Sequence, residues 1–112
     1  EWEIPAGCID PTDPSPVAAG IRELKEETGY AGENARIIGR VHPNPALQGN
    51  ICHTIQIDNA ALCSAPDLEA TECIVTEAVP LKRVEKMIRS GEISHGLVLN
   101  ALMFYFYNRE TV

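Results

Sequence analysis

Apolar and polar positions alternate in two stretches of the chain and recur at helical spacing in three. Glu1-Trp2-Glu3-Ile4 alternates and reads as the end of a strand, broken by Pro5-Ala6-Gly7. Cys8 to Pro16 is a loop rich in proline and aspartate. Ser15-Pro16 then starts a helix, with serine able to cap and proline suited to the first helical position. Val17, Ile21, Leu24 and Thr28 form its expected buried stripe, Gly20 weakens it slightly, and Gly29 ends it.

Ala35 to Val41 reads as a strand, followed by a His42-Pro43-Asn44-Pro45 loop and a Gln48-Gly49-Asn50 turn. Ile51 to Ile57 alternates and is a second strand; Asp58 to Thr71 is polar or small and reads as a long loop. Cys73 to Val79 is a third strand. Pro80 opens a helix with Leu81, Val84, Met87 and Ile88 inward, ended by Ser90-Gly91. Ser94 or His95 starts a last helix, with Leu97, Val98, Ala101, Leu102 and Tyr105 on one stripe. Strands and helices mix irregularly, which predicts an α/β or α+β fold: a mixed sheet with helices on both faces.

The chain has 112 residues, so one domain over 1–112 is expected. Apolar residues are 45% and charged residues 22%, which suits a soluble globular protein. The net charge of −7 argues against a nucleic-acid polymer as partner, since such binders need a basic footprint. It leaves open a small phosphate-bearing substrate held through a cation. Cys8, Cys52, Cys63 and Cys73 form no C-x-x-C pair and read as reduced, mostly buried thiols of a cytoplasmic protein. No stretch is long and apolar enough to span a bilayer, and no signal peptide is visible.

The candidate chemistry lies at the end of the first helix. In Arg22-Glu23-Leu24-Lys25-Glu26-Glu27-Thr28-Gly29-Tyr30, three carboxylates at i, i+3 and i+4 share a face. Like charges so placed cost roughly 0.2–0.5 kcal/mol per pair on a helix, partly relieved where Arg22 pairs with Glu26. A solvated helix face is the plain explanation. Three convergent carboxylates are also a hard oxygen site for Mg2+ or Mn2+.

This run resembles the second half of the Nudix box, G-x5-E-x7-R-E-U-x-E-E-x-G-U with U bulky and apolar, and Trp2 to Gly7 looks like the strand and turn that lead into it. Pro45, 16 residues after Gly29, is similar to the marker of the ADP-ribose pyrophosphatase group. The first half of the box departs from the pattern. Counted back from Arg22, its slots fall on Cys8 and Pro14; alternatively Gly7 and Asp13 keep the first spacing, with one extra residue before Arg22. The second alignment keeps a carboxylate and is preferred.

The resemblance implies a Nudix-like α/β/α sandwich that hydrolyses the diphosphate linkage of a nucleoside diphosphate derivative, such as ADP-ribose or a nucleotide sugar. Glu23, Glu26 and Glu27, with the Ala6 carbonyl, would hold Mg2+ or Mn2+. Arg22 would orient Glu23 or Glu26, Gly7 and Pro45 would border the substrate, and Glu72 (or else Glu69) would act as general base. Only six residues precede Gly7, so some N-terminal strands of that sandwich are expected to be lacking. Either a partner chain covers the open sheet edge, giving a homodimer, or further chain precedes Glu1. The alternative is a Nudix-fold module that binds a nucleotide or itself, with weak or no catalysis.

Overall fold

A computed structural model of the chain describes residues 1–44, 46, 49–68 and 74–108. Its elements are α1 (Pro16–Thr28), β1 (Tyr30–Val41), β2 (Cys52–Leu62), α2 (Leu81–Ser90) and α3 (Gly96–Asn108). This is the α+β class expected from the sequence. Two compact units are present: Pro5–Ile74, and Glu1–Ile4 together with the chain from Val75 onward.

In the first unit, α1 has the bounds its caps dictate. The Ser15 hydroxyl accepts the Ala18 N–H at 3.1 Å, and Pro16 takes the first turn. Gly29 ends the helix at φ 79°, its N–H donating to the Lys25 carbonyl at 2.8 Å. The Thr28 hydroxyl donates to the Leu24 carbonyl at 2.6 Å and accepts the Tyr30 N–H at 3.1 Å, leading the helix directly into β1. The buried stripe differs from expectation. Ala19 and Thr28 are buried, but Ile21 is 45% exposed. The helix meets the sheet through Gly20: a Cβ there would lie 2.9 Å from Ile55 Cγ1. Gly20 is thus a point of close approach to β2, which explains why the helix tolerates it.

β1 and β2 form an antiparallel pair from Tyr30↔Leu62 to Val41↔Cys52. Both strands are longer than expected. Asp58 to Ala61, polar or small in sequence, reads as loop, yet it pairs with the start of β1. The Gly29 carbonyl accepts the Cys63 and Ser64 amides at 2.9 and 3.2 Å just beyond that pairing. Backbone pairing, rather than side-chain alternation, sets the length of β2. The register shifts three times along the ladder. Asn34 and Asn59 take left-handed conformations beside these shifts, which asparagine tolerates better than most residues. A Cβ on Gly32 would run into the Asp58 carbonyl. The Asp58 carboxylate closes the irregular part by accepting from Arg36 at 2.9 Å, Gln56 at 3.0 Å and Asn34 at 3.1 Å.

Two expected strands are not formed, and the expected mixed sheet is a two-stranded antiparallel one among the described residues. Residues 1–4 and 74–79 carry no ladder. Their apolar positions are satisfied otherwise, in the second unit. There Met87, Ile93 and Val98 are buried as a cluster, with Trp2, Val79, Val84, Ile88, Leu99 and Leu102 packed against it. The Trp2 indole donates to Glu92 at 3.0 Å, and the Arg83 guanidinium lies over its ring at 5.8 Å. Alternation in Glu1–Ile4 therefore reflects one aromatic ring seated on helices, not a strand.

In the same unit Pro80 opens α2 and Gly91 (φ 80°) closes it, as the sequence predicts. Leu81, expected inward, is 41% exposed. On α3 Val98 and Ala101 are buried, whereas Leu97, placed on the same stripe by sequence, is 39% exposed. His95 caps this helix, its Nδ1 accepting the Leu97 N–H at 3.2 Å. Cys8 and Cys63, expected to be buried, are exposed free thiols, because each lies in a loop flanking an element. Among the described residues no helix is long and apolar enough to cross a membrane.

Candidate active site

The site is built on the solvent-facing side of α1 and the loop before it. Arg22 is its centre. A guanidinium has five N–H donors in a rigid fork, and here each meets an oxygen. Nε and Nη2 grip Asp13 as a fork, Nε to Oδ1 at 3.0 Å and Nη2 to Oδ2 at 2.9 Å. Nη2 also donates to the Cys8 carbonyl at 3.2 Å. Nη1 donates to Glu23 Oε1 at 2.9 Å and to Glu26 Oε2 at 3.0 Å. One guanidinium nitrogen thus bridges two carboxylates one turn apart, which offsets the repulsion their spacing creates.

Glu27 is held differently. Its Oε2 accepts the Ala6 N–H at 3.1 Å, tying the 5–7 turn to the helix. The neighbouring Gly7 has no room for a side chain, since a Cβ there would overlap the Glu23 carboxylate. The turn therefore touches two of the three glutamates of α1. Beyond β2 the chain returns to the same helix, with the Asp67 N–H donating to the Glu26 carbonyl at 2.7 Å.

The structure brings together Arg22, Glu23 and Glu26, and sets Ala6 and Gly7 against Glu27 and Glu23. Pro45, Glu69 and Glu72 lie outside the described residues. Of the two spacings for the first half of the box, Gly7 with Asp13 and Cys8 with Pro14, Asp13 supplies a carboxylate to Arg22 and Cys8 its backbone carbonyl, while Pro14 has no acceptor side chain to offer. Asp13 was legible in sequence only as a carboxylate filling a slot. Its fork with Arg22 spans nine positions and a loop, so no periodicity reports it.

Electrostatics follow the same contacts. The hydrogen bonds from Arg22, then the Asp10 amide, hold the Asp13 carboxyl below the usual aspartate range. Bonding to Asp13 raises the Arg22 guanidinium above its already high value. On the hairpin, Gln56, then Arg36 and Asn34, lower Asp58 likewise. A carboxyl with a lower pKa folded than unfolded stabilises the fold above its unfolded pKa, about 3.9, and loses that contribution as pH falls through the folded value. Urea midpoints are accordingly expected to hold from pH 7 to about pH 5 and to decline below about pH 4. Asp58→Asn should flatten that decline; an unchanged slope would refute the assignment.

The side chains on this face of α1 offer a hard dication oxygen donors. Glutamate oxygens suit Mg2+ or Mn2+, and Gly7 leaves open the space into which Glu23 reaches. Among the described residues, however, no three His, Cys, Asp or Glu side chains are gathered in a metal-holding arrangement. Glu23 and Glu26 instead face Arg22, and Glu27 faces Ala6. The residue types suit such an ion, while their present partners, Arg22 and the Ala6 amide, keep the three carboxylates from converging on one point.

The profile of the NUDIX domain matches residues 1–88. The chain belongs to the Nudix family. Among curated proteins it is 31% identical over 102 residues to a CMP-5'-(N-acetyl-N-hydroxy-3-aminopropyl)phosphonate hydrolase of Streptomyces rubellomurinus, covering 90% of this chain and 48% of that protein. It is 44% identical over 55 residues to an ADP-sugar pyrophosphatase of Mus musculus, covering 49% of this chain and 25% of that protein. An ADP-ribose pyrophosphatase of Bacillus subtilis is 25% identical over 103 residues, covering 91% of this chain and 55% of that protein. The chain spans about half the length, or less, of these relatives. The Nudix match includes the whole of α1 and the loop before it, so the Arg22 cluster lies within the matched region.

Proposed function

We propose that this Nudix chain hydrolyses the diphosphate linkage of a nucleoside diphosphate derivative, such as ADP-ribose or a nucleotide sugar, with Mg2+ or Mn2+. The observation that supports this most is the bridging of Glu23 and Glu26 by one nitrogen of Arg22. It keeps two carboxylates side by side where a plain solvated face would splay them. The relatives named for ADP-sugar and ADP-ribose supply the substrate class.

In this reading Glu23, Glu26 and Glu27, with the Ala6 carbonyl, hold the ion. When bound it neutralises phosphate charge, orients the linkage and lowers the pKa of a water. Arg22 keeps Glu23 and Glu26 oriented. The Ala6 amide fixes Glu27, and Gly7 lets the turn approach closely enough for substrate to lie against it. Pro45 borders the substrate, and Glu72 takes the proton from the attacking water. The chain acts as a cytoplasmic homodimer, supported by its free thiols and by exposed Leu97, Met103 and Tyr107 on α3.

The test is a panel of ADP-ribose, ADP-sugars, other nucleotide sugars and a CMP-linked phosphonate, each with Mg2+, Mn2+ or chelator. Cation-dependent release of a nucleoside monophosphate is expected. No release from any member would sink the reading, and calorimetric nucleotide binding without turnover would favour the module that binds but does not hydrolyse.

A further inference from the structure

Helix α2 concentrates positive charge in an acidic chain. Lys82, Arg83, Lys86 and Arg89 are four of the nine Lys and Arg residues, and Glu85 is the one acid among them. The apolar side of the helix is committed to its own core, where Met87 is buried and Val84 and Ile88 pack against it. Arg83 is committed too, to Glu77 at 3.2 Å and to the Trp2 ring. Lys82, Lys86 and Arg89 remain. They stand at i, i+4 and i+7, so they form one stripe about 10 Å long. All three are exposed, and none has an ion pair among the described residues.

Nothing local accounts for the stripe. Like charges at this spacing repel one another. Lys82 lies in the first turn, where the helix dipole disfavours a cation, and that turn holds no acid. Solubility is already served by the net charge of −7, which these cations only reduce. The size of the stripe selects its partner. A nucleic-acid backbone calls for a broad basic footprint, and a bilayer for a larger cluster or a free apolar face. A single row of three, on a helix whose apolar face is buried, fits a small acidic protein surface instead. This chain carries one, since residues 5–74 hold ten acidic residues against four basic ones. Charges more than about 8 Å apart are largely screened at physiological ionic strength, so local complementarity outweighs the overall repulsion of two anionic copies.

We propose that Lys82, Lys86 and Arg89 of α2 dock on the acidic 5–74 region of a second copy of this chain. This names the charged contact of the homodimer and rests on that reading.

The test is sedimentation equilibrium of the full chain at about 50 and about 500 mM NaCl, with circular dichroism to show that each variant is folded. The wild type is expected to form dimers whose Kd rises about tenfold or more between the two salts. Lys82→Glu/Lys86→Glu/Arg89→Glu should weaken the dimer about 10–100-fold at the lower salt. If that variant does not fold, the three residues are replaced by glutamine, which suits a helix and still removes the charge. Lys25→Glu with Arg40→Glu lowers the net charge without touching α2 and should not weaken the dimer. A loss there as large as in the α2 variant assigns the effect to overall repulsion and overturns the proposal. A dimer indifferent to salt and to the α2 variant overturns the role of the stripe and leaves the homodimer standing. A wild type that is monomeric at both salts overturns the two together. Binding of the wild type to vesicles of phosphatidylserine and phosphatidylcholine, without self-association, overturns the second copy in favour of a lipid surface.

Discussion

Replacing Glu26 with glutamine is expected to lower kcat by about 10²–10⁴-fold while leaving thermal stability almost unchanged. Glutamine has the same shape and can still accept a hydrogen bond from Arg22 Nη1, so the helix face need not rearrange. The Glu26 side chain is 42% exposed, and substitutions at such positions usually shift stability by less than about 0.5 kcal/mol. What is lost is a negative charge next to Glu23. If that pair helps hold a dication against a diphosphate, its removal forfeits several kcal/mol of transition-state stabilisation, at about 1.4 kcal/mol per decade of rate. Steady-state rates against Mg2+ concentration, with a melt of each protein, check this. A variant within about tenfold of the wild type at saturating Mg2+ would contradict a ligand role for Glu26.

The second large effect is structural. Gly29→Ala should cost about 2–4 kcal/mol, a fall in Tm of roughly 10–15 °C at this chain length. The left-handed conformation at φ 79° costs an alanine about 1 kcal/mol. The larger part comes from position. A Cβ on Gly29 would run into the Ser64 carbonyl. The backbone cannot yield cheaply, because the Gly29 N–H closes α1 and its carbonyl accepts Cys63 and Ser64. Gly91 is the control: it also ends a helix, at φ 80°, but a Cβ there meets nothing within 4 Å. Gly91→Ala should cost only the conformational part, about 1 kcal/mol. Equal losses in the two variants would show that crowding at Ser64 has no energetic weight.

How much of this was readable beforehand depends on the range of the interactions involved. The ends of α1 were legible because Ser15, Pro16 and Gly29 act on backbone groups within four residues of themselves. The glutamate run was legible because helical spacing alone places Glu23, Glu26 and Glu27 near one another. Ile21 was misplaced because the partner surface, Ile55 on β2, draws the helix in at Gly20, and a lone helix carries no record of its partner. Residues 58–61 looked like a loop because their side chains are small or polar, whereas their pairing is a backbone event with Ala31 and Glu33. Trp2 gave a strand-like alternation that a single half-buried ring explains equally well. Asp13 was in plain view as a carboxylate; its target was hidden by an extra residue in the loop and by distance along the chain.

The setting of Trp2 has a practical consequence. It is the chain's one tryptophan, and it packs with Met87, Ile93 and Val98, bonded to Glu92 and covered by Arg83. Indole emission is therefore a probe of the helices after Val79, and it reports only indirectly on α1, the hairpin and the Arg22 cluster. Far-ultraviolet circular dichroism sees every element. Denaturation curves from the two signals will coincide if the chain unfolds as one cooperative body, and will separate if the helical part and the glutamate-bearing part come undone at different points.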